Sequence, residues 1–417
     1  MEVVVDMEVV GTVGDQFEMI QKKSVVQKID SSFLTPDSNG IRRADFLIKP
    51  YLKRSNARAS WQVLITLASV VGLWVGVARI DQTSLPITLK IFALIPVLGL
   101  LALFSSRAFS LMHDCGHGSL FRSRWLNRSV GFLLGVLNAI PEHPWSRDHA
   151  FHHRHNGNWE IYRGPIDVLS LEEYQALTKP RKLLYVISRH WLMLFPGGFY
   201  YLIIKPRVTL ILTLTDFIWS IAKAILNGLL TMNFSKISSL SIRLRSHNSG
   251  YGNTFGEQFD LVANNIAVII CWLLMSQWLG TGLFWSCYSV VMTASAAIFI
   301  CLFFVQHNFK DSYASCTEDW DLLLGALEGS SNLRLPRWMD WFFADISFHI
   351  LHHVCDRIPN YHLRACHLEN QHLLKNAMTL SLVDIPSCFG YILWNSKSQK
   401  LTTIREAQKI SQLSNSL

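Results

Sequence analysis

Residues 261–305 read LVANNIAVIICWLLMSQWLGTGLFWSCYSVVMTASAAIFICLFFV, with no charged side chain. Two apolar runs, Leu261–Leu279 and Leu283–Val305, meet at Gly280-Thr281-Gly282. A bilayer core of about 30 Å needs roughly 20 helical residues to cross it, so each run is long enough to span. The glycine-rich joint predicts a tight helical hairpin. Upstream, 61–78 and 85–105 form a second such pair, with Lys90 placed to snorkel at the interface. The reading is an all-α integral membrane protein: four transmembrane helices in two hairpins, with a cytosolic helical cap formed by 106–183 and 306–380.

Three other apolar stretches make poorer spans. Residues 129–140 are too few. Residues 184–204 carry Arg189 and His190 and are interrupted by Pro196-Gly197-Gly198, while 208–230 carry Asp216 and Lys223. Each charge in lipid costs roughly 2.5–3.5 kcal/mol, so both stretches are expected at the interface or re-entrant. If both crossed instead, the count would be six and its parity unchanged.

Composition agrees with lipid as solvent. Half of the 417 residues are apolar and only 16% charged, against about a quarter charged in ordinary soluble domains. The net charge of +8 does not indicate nucleic acid, because basic residues such as Arg42, Arg43, Lys49, Lys53, Arg54 and Arg58 flank an apolar run. The eight cysteines have neither zinc-finger nor ferredoxin spacing. Residues 1–45 read as a weakly structured lead-in without the basic start of a secretory signal. Residues 46–390 read as the membrane domain and 391–417 as a C-terminal tail, which from Ser396, with Lys397, Lys400, Arg405 and Lys409, reads as a solvated or membrane-surface helix.

Chemistry concentrates in the histidines. Of sixteen, eight fall in three clusters: His113-Asp-Cys-Gly-His117, His149-Ala-Phe-His152-His153 and His349-Ile-Leu-His352-His353. Positions i, i+3 and i+4 share a helix face, so each cluster can aim its imidazoles at one point. A His-x-x-His-His window arises by chance about 0.02 times in a chain of this composition; here there are two. The first cluster follows the second span and the third follows the fourth, with an even number of spans between, so all three face one side. Imidazole suits several first-row metals. A single catalytic zinc uses three protein ligands, however, whereas two open metal sites employ eight. His143, His155, His190, His247, His362, His367 and His372 read as surface or structural.

The three boxes, their order and their placement resemble the membrane-bound fatty acid desaturases. His113-Asp114-Cys115-Gly116-His117 with Ser119-Leu120-Phe121, and the third box with Ile358-Pro359-Asn360-Tyr361 after it, resemble the acyl-lipid (Δ12/ω-type) branch. The likeness covers about 45–380. It implies two irons bound by the eight box histidines, O2 as co-substrate, electrons from an external carrier of ferredoxin or cytochrome b5 type, and a membrane lipid or acyl substrate. It also implies a further ligand just past the last span, where His307 stands. The third box opens with His349 rather than Gln, and no His-Pro-Gly-Gly motif occurs, which disfavours the class that desaturates near the carboxyl end.

Asp345, four residues before His349, is expected to orient that imidazole from behind, with Asp114 and Asp148 as further candidates. Trp338, Trp341, Phe342 and Phe343 are placed to edge a substrate channel, or to form an interfacial aromatic belt. Two other readings compete with desaturation. One is a hydroxylase, ketolase or related oxygenase on lipid or carotenoid; the other is a metal transporter, which would need ionisable groups at the midplane of its spans.

Overall fold

The computed structural model describes residues 40–231, 244–246, 250–252 and 254–414. The chain divides into two compact units, Met1–Asp45 and Phe46–Leu417. In the first, residues 40–45 are described and hold a short 3-10 turn, Arg43–Asp45. The lead-in expected there falls almost wholly outside the described residues.

The second unit starts with two antiparallel helices. Helix α1 (Asn56–Asp81) begins where the Ser55 hydroxyl accepts the Arg58 N–H. Helix α2 (Ile87–Gly116) has 30 residues, about 45 Å at 1.5 Å per residue. Its first half exposes Ile87, Phe92 and Ile95, while Leu101 and Ser105–Cys115 are buried. An apolar surface exposed to this extent needs lipid beside it. The extra length lifts the end of α2 clear of the lipid-facing part.

Helices α3 (Arg124–Leu137) and α4 (Glu142–His155) follow. They turn back on each other within a few residues, with Ala139 at φ +55°. The Glu142 carboxylate is buried, and both its oxygens accept from Arg128 at 3.0 Å. Close packing here depends on glycine: a Cβ on Gly135 would lie 2.6 Å from the Ile140 carbonyl oxygen.

Next comes β1 (Leu169–Ser170), then a continuous helical run, α5, over Trp191–Thr231. It passes through a 3-10 turn, an α turn, a π turn at Tyr200–Ile204 and an α-helix from Lys205. The sequence reading broke this region at Pro196-Gly197-Gly198. Pro196 instead is the third residue of the α segment that begins at Leu194, within the first turn where N–H groups have no partner in that segment, and Gly198 is buried where a Cβ would strike Ala296. The π turn directly precedes Pro206, the place where the helical ladder loses a donor.

A β2–β3 hairpin (Leu244–Ser246, Gly250–Gly252) leads to α6 (Phe255–Leu279) and α7 (Thr281–Val305). Gly280 alone joins these two helices, at φ +82°, a conformation that suits glycine. Helix α7 packs on α2: the Ser106 and Ser295 hydroxyls lie 3.2 Å apart, and Phe109 stacks on Phe299 at 3.8 Å. Among the described residues five helices, α1, α2, α5, α6 and α7, are long and apolar enough to cross a membrane. That is the four expected plus α5.

The rest of the described chain holds α8 (Arg337–Phe342), α9 (His349–Val354), α10 (Asn360–Glu369), strands β4 (Asn332–Arg334), β5 (Thr379–Ser381), β6 (Tyr391–Asn395) and β7 (Lys400–Thr403), two short helical turns at Leu322–Leu327 and Ile385–Cys388, and a last helix, Ile404–Ser414. The β4 and β5 strands pair in parallel, and β1–β6–β7 form a small mixed sheet. The fold is thus mostly helical rather than purely so. The tail, expected as a solvated or membrane-surface helix from Ser396, does hold a helix, Ile404–Ser414, but only after Lys400–Thr403 pairs with Tyr391–Asn395, a strand in which Leu393 and Trp394 are buried. Their burial comes from pairing with β1, more than 200 residues away in sequence, which no local pattern encodes.

Candidate metal centre

Each histidine cluster sits at a helix end where chain and burial fix its aim. His113 is in the last turn of α2 and His117 caps it; the chain then escapes through Gly118 at φ +64°. His149, His152 and His153 lie in the last two turns of α4. Helix α4 is tied to α6 by Arg147–Glu257 (2.9 Å) and by the His143 N–H donating to Asp260 (2.5 Å). His349, His352 and His353 form most of α9. His307 stands two residues past α7, where its Nδ1 donates to the Gly329 carbonyl at 3.0 Å.

The structure brings all nine together in two groups. His113, His117, His149, His153 and His352 offer nitrogens that all lie within 4.8 Å of one another, and so do His152, His307, His349 and His353. Helical spacing explains the partition. The i, i+4 pairs face each other through Nε2: His113–His117 at 3.3 Å, His149–His153 at 3.0 Å, His349–His353 at 3.1 Å. The i+3 residues, His152 and His352, turn away from their own box partners and complete the opposite group. Boxes two and three therefore lock both groups together.

These distances fit metal ligation. Two nitrogens about 2.1 Å from one ion, at a right angle, stand about 3.0 Å apart. His307 and His349 meet the same criterion at 2.9 Å. Both ring nitrogens of buried His352 lack a hydrogen-bond partner among the described residues, and a nitrogen facing an ion needs none. Burial, reinforced by neighbouring imidazoles, pushes His149, His152, His153, His349, His352 and His353 well below the usual imidazole range. Burial likewise takes His307 down to about 4, against its bond to Gly329. Neutral imidazole is the ligating form. Neither group contains a carboxylate.

Around them, His113 Nδ1 lies 3.2 Å from Asp114, whose other oxygen accepts the Asn360 N–H at 3.0 Å. Asp148 lies 3.5 Å from Arg147. Asp345 does not back His349. It precedes α9, at φ +54°, and accepts from Arg364 at 2.9 Å. Helix α9 starts only at His349, so the four-residue spacing never acquires a shared face. A carboxylate that the sequence reading missed does reach an imidazole: Asp356, 3.3 Å from His117 Nδ1. Its position three residues past His353 was the available signal.

A cavity of about 340 Å³ opens beside the histidines. Phe109, Trp145, Phe299 and Phe303 line it together with His149, His152 and His307, so it touches both groups. Trp338, Trp341 and Phe342 are not among its lining residues: Trp341 and Phe342 pack edge-on against Phe104, with Arg107 over the Trp341 ring, and Trp338 is exposed.

The fatty acid desaturase family profile matches residues 87–379, from the start of α2 to β5. This chain belongs to the fatty acid desaturase family. It is 27% identical over 350 residues to a fatty acid desaturase of Bacillus subtilis, covering 84% of this chain and 86% of that one. It is similar to an sn-1 oleoyl-lipid 12-desaturase of Synechocystis (27% over 323 residues; 77% and 78% covered) and to one of Picosynechococcus (24% over 315 residues; 74% and 76%). The desaturase is an oxidoreductase, and its relatives place it in the acyl-lipid branch.

Proposed function

We propose that this desaturase introduces a carbon–carbon double bond into a lipid-borne fatty acyl chain, with O2 as oxidant, at two irons held by the two histidine groups. The cavity carries the reading as an acyl slot: its wall is largely aromatic, and His149 of one group and His152 and His307 of the other line it together. A saturated methylene pair lying in it would face both metal positions at once. Imidazole alone does not select iron among first-row metals; iron comes from the family resemblance.

When bound, the irons supply the oxidising power to break unactivated C–H bonds. The protein's share is placement. Phe109, Phe299 and Phe303 shield the acyl chain from water, and burial keeps His149, His152, His153, His307, His349, His352 and His353 in the neutral, ligating form. In the net reaction O2 receives two hydrogen atoms from adjacent carbons, plus two electrons and two protons from outside, and leaves as two waters. An external one-electron carrier, of ferredoxin or cytochrome b5 type, must supply those electrons.

Topology supports a cytoplasmic metal face. The Ser55 N–H, at the start of α1, donates to Tyr361, which donates to the Leu120 carbonyl next to the first box. The basic flank Lys49, Lys53, Arg54 and Arg58 is therefore on the site's side, the orientation that positive flanks favour. Because boxes two and three meet, the chain between them crosses the bilayer an even number of times. With α6 and α7 as one hairpin, α5 enters the membrane without a net crossing.

Expression in a host lacking polyunsaturated lipids, followed by mass spectrometry of its fatty acids, tests the reading. New species two mass units lighter are expected. Species gaining an oxygen atom would instead mark a hydroxylase.

A further inference from the structure

A second cavity, of about 390 Å³, lies on another side of the first histidine group. Arg54, Arg122, Arg124, Arg128 and Arg357 line it together with His117. No carboxylate and no lysine is among its lining residues. Glu142, buried behind it, offsets Arg128; among the described residues no ion pair joins Arg54, Arg122 or Arg124 to a carboxylate. A generic positive flank would distribute lysines and arginines along the interface. Here guanidinium groups from the segment before α1, from α3 and its lead-in, and from the loop after α9 converge on one concavity. Guanidinium groups grip carboxylates bidentately.

His117 makes this place more than a charged patch. Its Nε2 faces His113 Nε2 at the centre of the group, and its ring also lines the arginine cavity. One imidazole thus separates the cavity from a metal position. The first cavity is lined by His149, His152 and His307 and shares no lining residue with this one. Lipid and electrons would then reach the centre by separate routes.

We propose that the arginine cavity is the docking site of the electron carrier, a small redox protein with an acidic surface, and that electrons enter through His117. The inference rests on the desaturase reading, since that reaction needs two electrons delivered singly from outside. Opposite charge would steer the encounter and make it weaken as salt rises.

The test uses the full chain, iron-loaded, in nanodiscs of uncharged lipid. Acidic ferredoxin and cytochrome b5 serve as probes and dithionite as the chemical reductant. Arg124→Gln/Arg357→Gln removes two exposed guanidinium groups that line the cavity without pairing to a carboxylate among the described residues. The expected result is at least tenfold weaker carrier binding and a tenfold higher KM for the carrier, with a shallower salt dependence. Turnover with dithionite should stay unchanged. Equal binding of both carriers by the parent protein and the variant would overturn the proposal. So would a loss of turnover that is as large with dithionite as with carrier, because the arginines would then serve the lipid. A parent protein that binds carrier in the arginine-dependent way yet makes no unsaturated product with any reductant would sink the desaturase reading and leave the docking site standing.

Discussion

Asp356 Oδ2 lies 3.3 Å from His117 Nδ1, and the opposite nitrogen of that ring, Nε2, lies 3.3 Å from His113 Nε2. A residue just past the third box therefore fixes the ring at the end of the first box, from the far side of the metal position. Carboxylates in this place set the tautomer and raise ligand basicity. Asp356→Asn keeps the shape and removes the charge. Metal affinity should fall roughly 10- to 100-fold, measured by chelator competition on the purified protein. Asp345→Asn, which alters a partly exposed ion pair with Arg364 and touches no imidazole, should leave metal content intact and cost about 1 kcal/mol of stability. Equal metal loss in both variants would refute the assignment.

His307 tests whether there are two sites. It belongs to the four-histidine group and not to the five-histidine one. His307→Ala should lower bound iron from about two ions per chain to about one and abolish turnover, with the five-histidine group still loaded. Elemental analysis of the purified variant reads this directly. Complete loss of iron would mean that the groups bind only cooperatively; no loss would remove His307 from the site.

The contrast between Asp356 and Asp345 shows what the sequence could reveal. Box spacing was legible because i, i+3 and i+4 neighbours meet on any helix, and so was the α6–α7 hairpin, because twenty uncharged apolar residues and a glycine joint have few alternatives. Asp345 failed because a helix-face argument was applied to a residue outside the helix. Asp356 was legible as a neighbour of the third box but its partner was not, because Cys355 leaves α9 in an extended conformation, φ −154° and ψ 98°, and so swings the next side chain towards the first box. The β1–β6 pairing and the acyl slot likewise depend on partners far apart in sequence.

Gly135 measures how tightly the boxes are clamped. Its missing Cβ leaves room for the Ile140 carbonyl, which also accepts from Asn264 Nδ2 at 3.1 Å. That oxygen belongs to the backbone between α3 and α4 and cannot rotate away. Gly135→Ala should destabilise the protein by about 1–3 kcal/mol, seen as a lower midpoint of thermal unfolding in detergent. An unchanged midpoint would show that α3 and α4 can separate without penalty.

The acyl slot predicts a specificity change without metal loss. Ile300 lines the cavity, and no imidazole is within its helix turn. Ile300→Trp should fill part of the slot and lower kcat/KM for a long-chain acyl substrate at least tenfold, about 1.4 kcal/mol of transition-state binding. Iron content should stay at the parent level. A variant with the parent's kcat/KM would put the substrate elsewhere.

The parity argument for α5 is testable by chemical labelling. Arg181 precedes the run and Phe255 follows it, both exposed, and Gly282 is at the far end of the α6–α7 hairpin. In a Cys271→Ser background, which removes an exposed native thiol, Arg181→Cys and Phe255→Cys should react with a membrane-impermeant maleimide from the same side as Arg124→Cys. Gly282→Cys should react only from the other. The reason is geometric: Arg147 on α4 grips Glu257 on α6, so the chain that leaves α4 must come back to the same level before α6 begins. Labelling of Arg181→Cys and Phe255→Cys from opposite sides would make α5 a full crossing. The second and third boxes would then be separated by the bilayer, and no pair of metals could be shared between them.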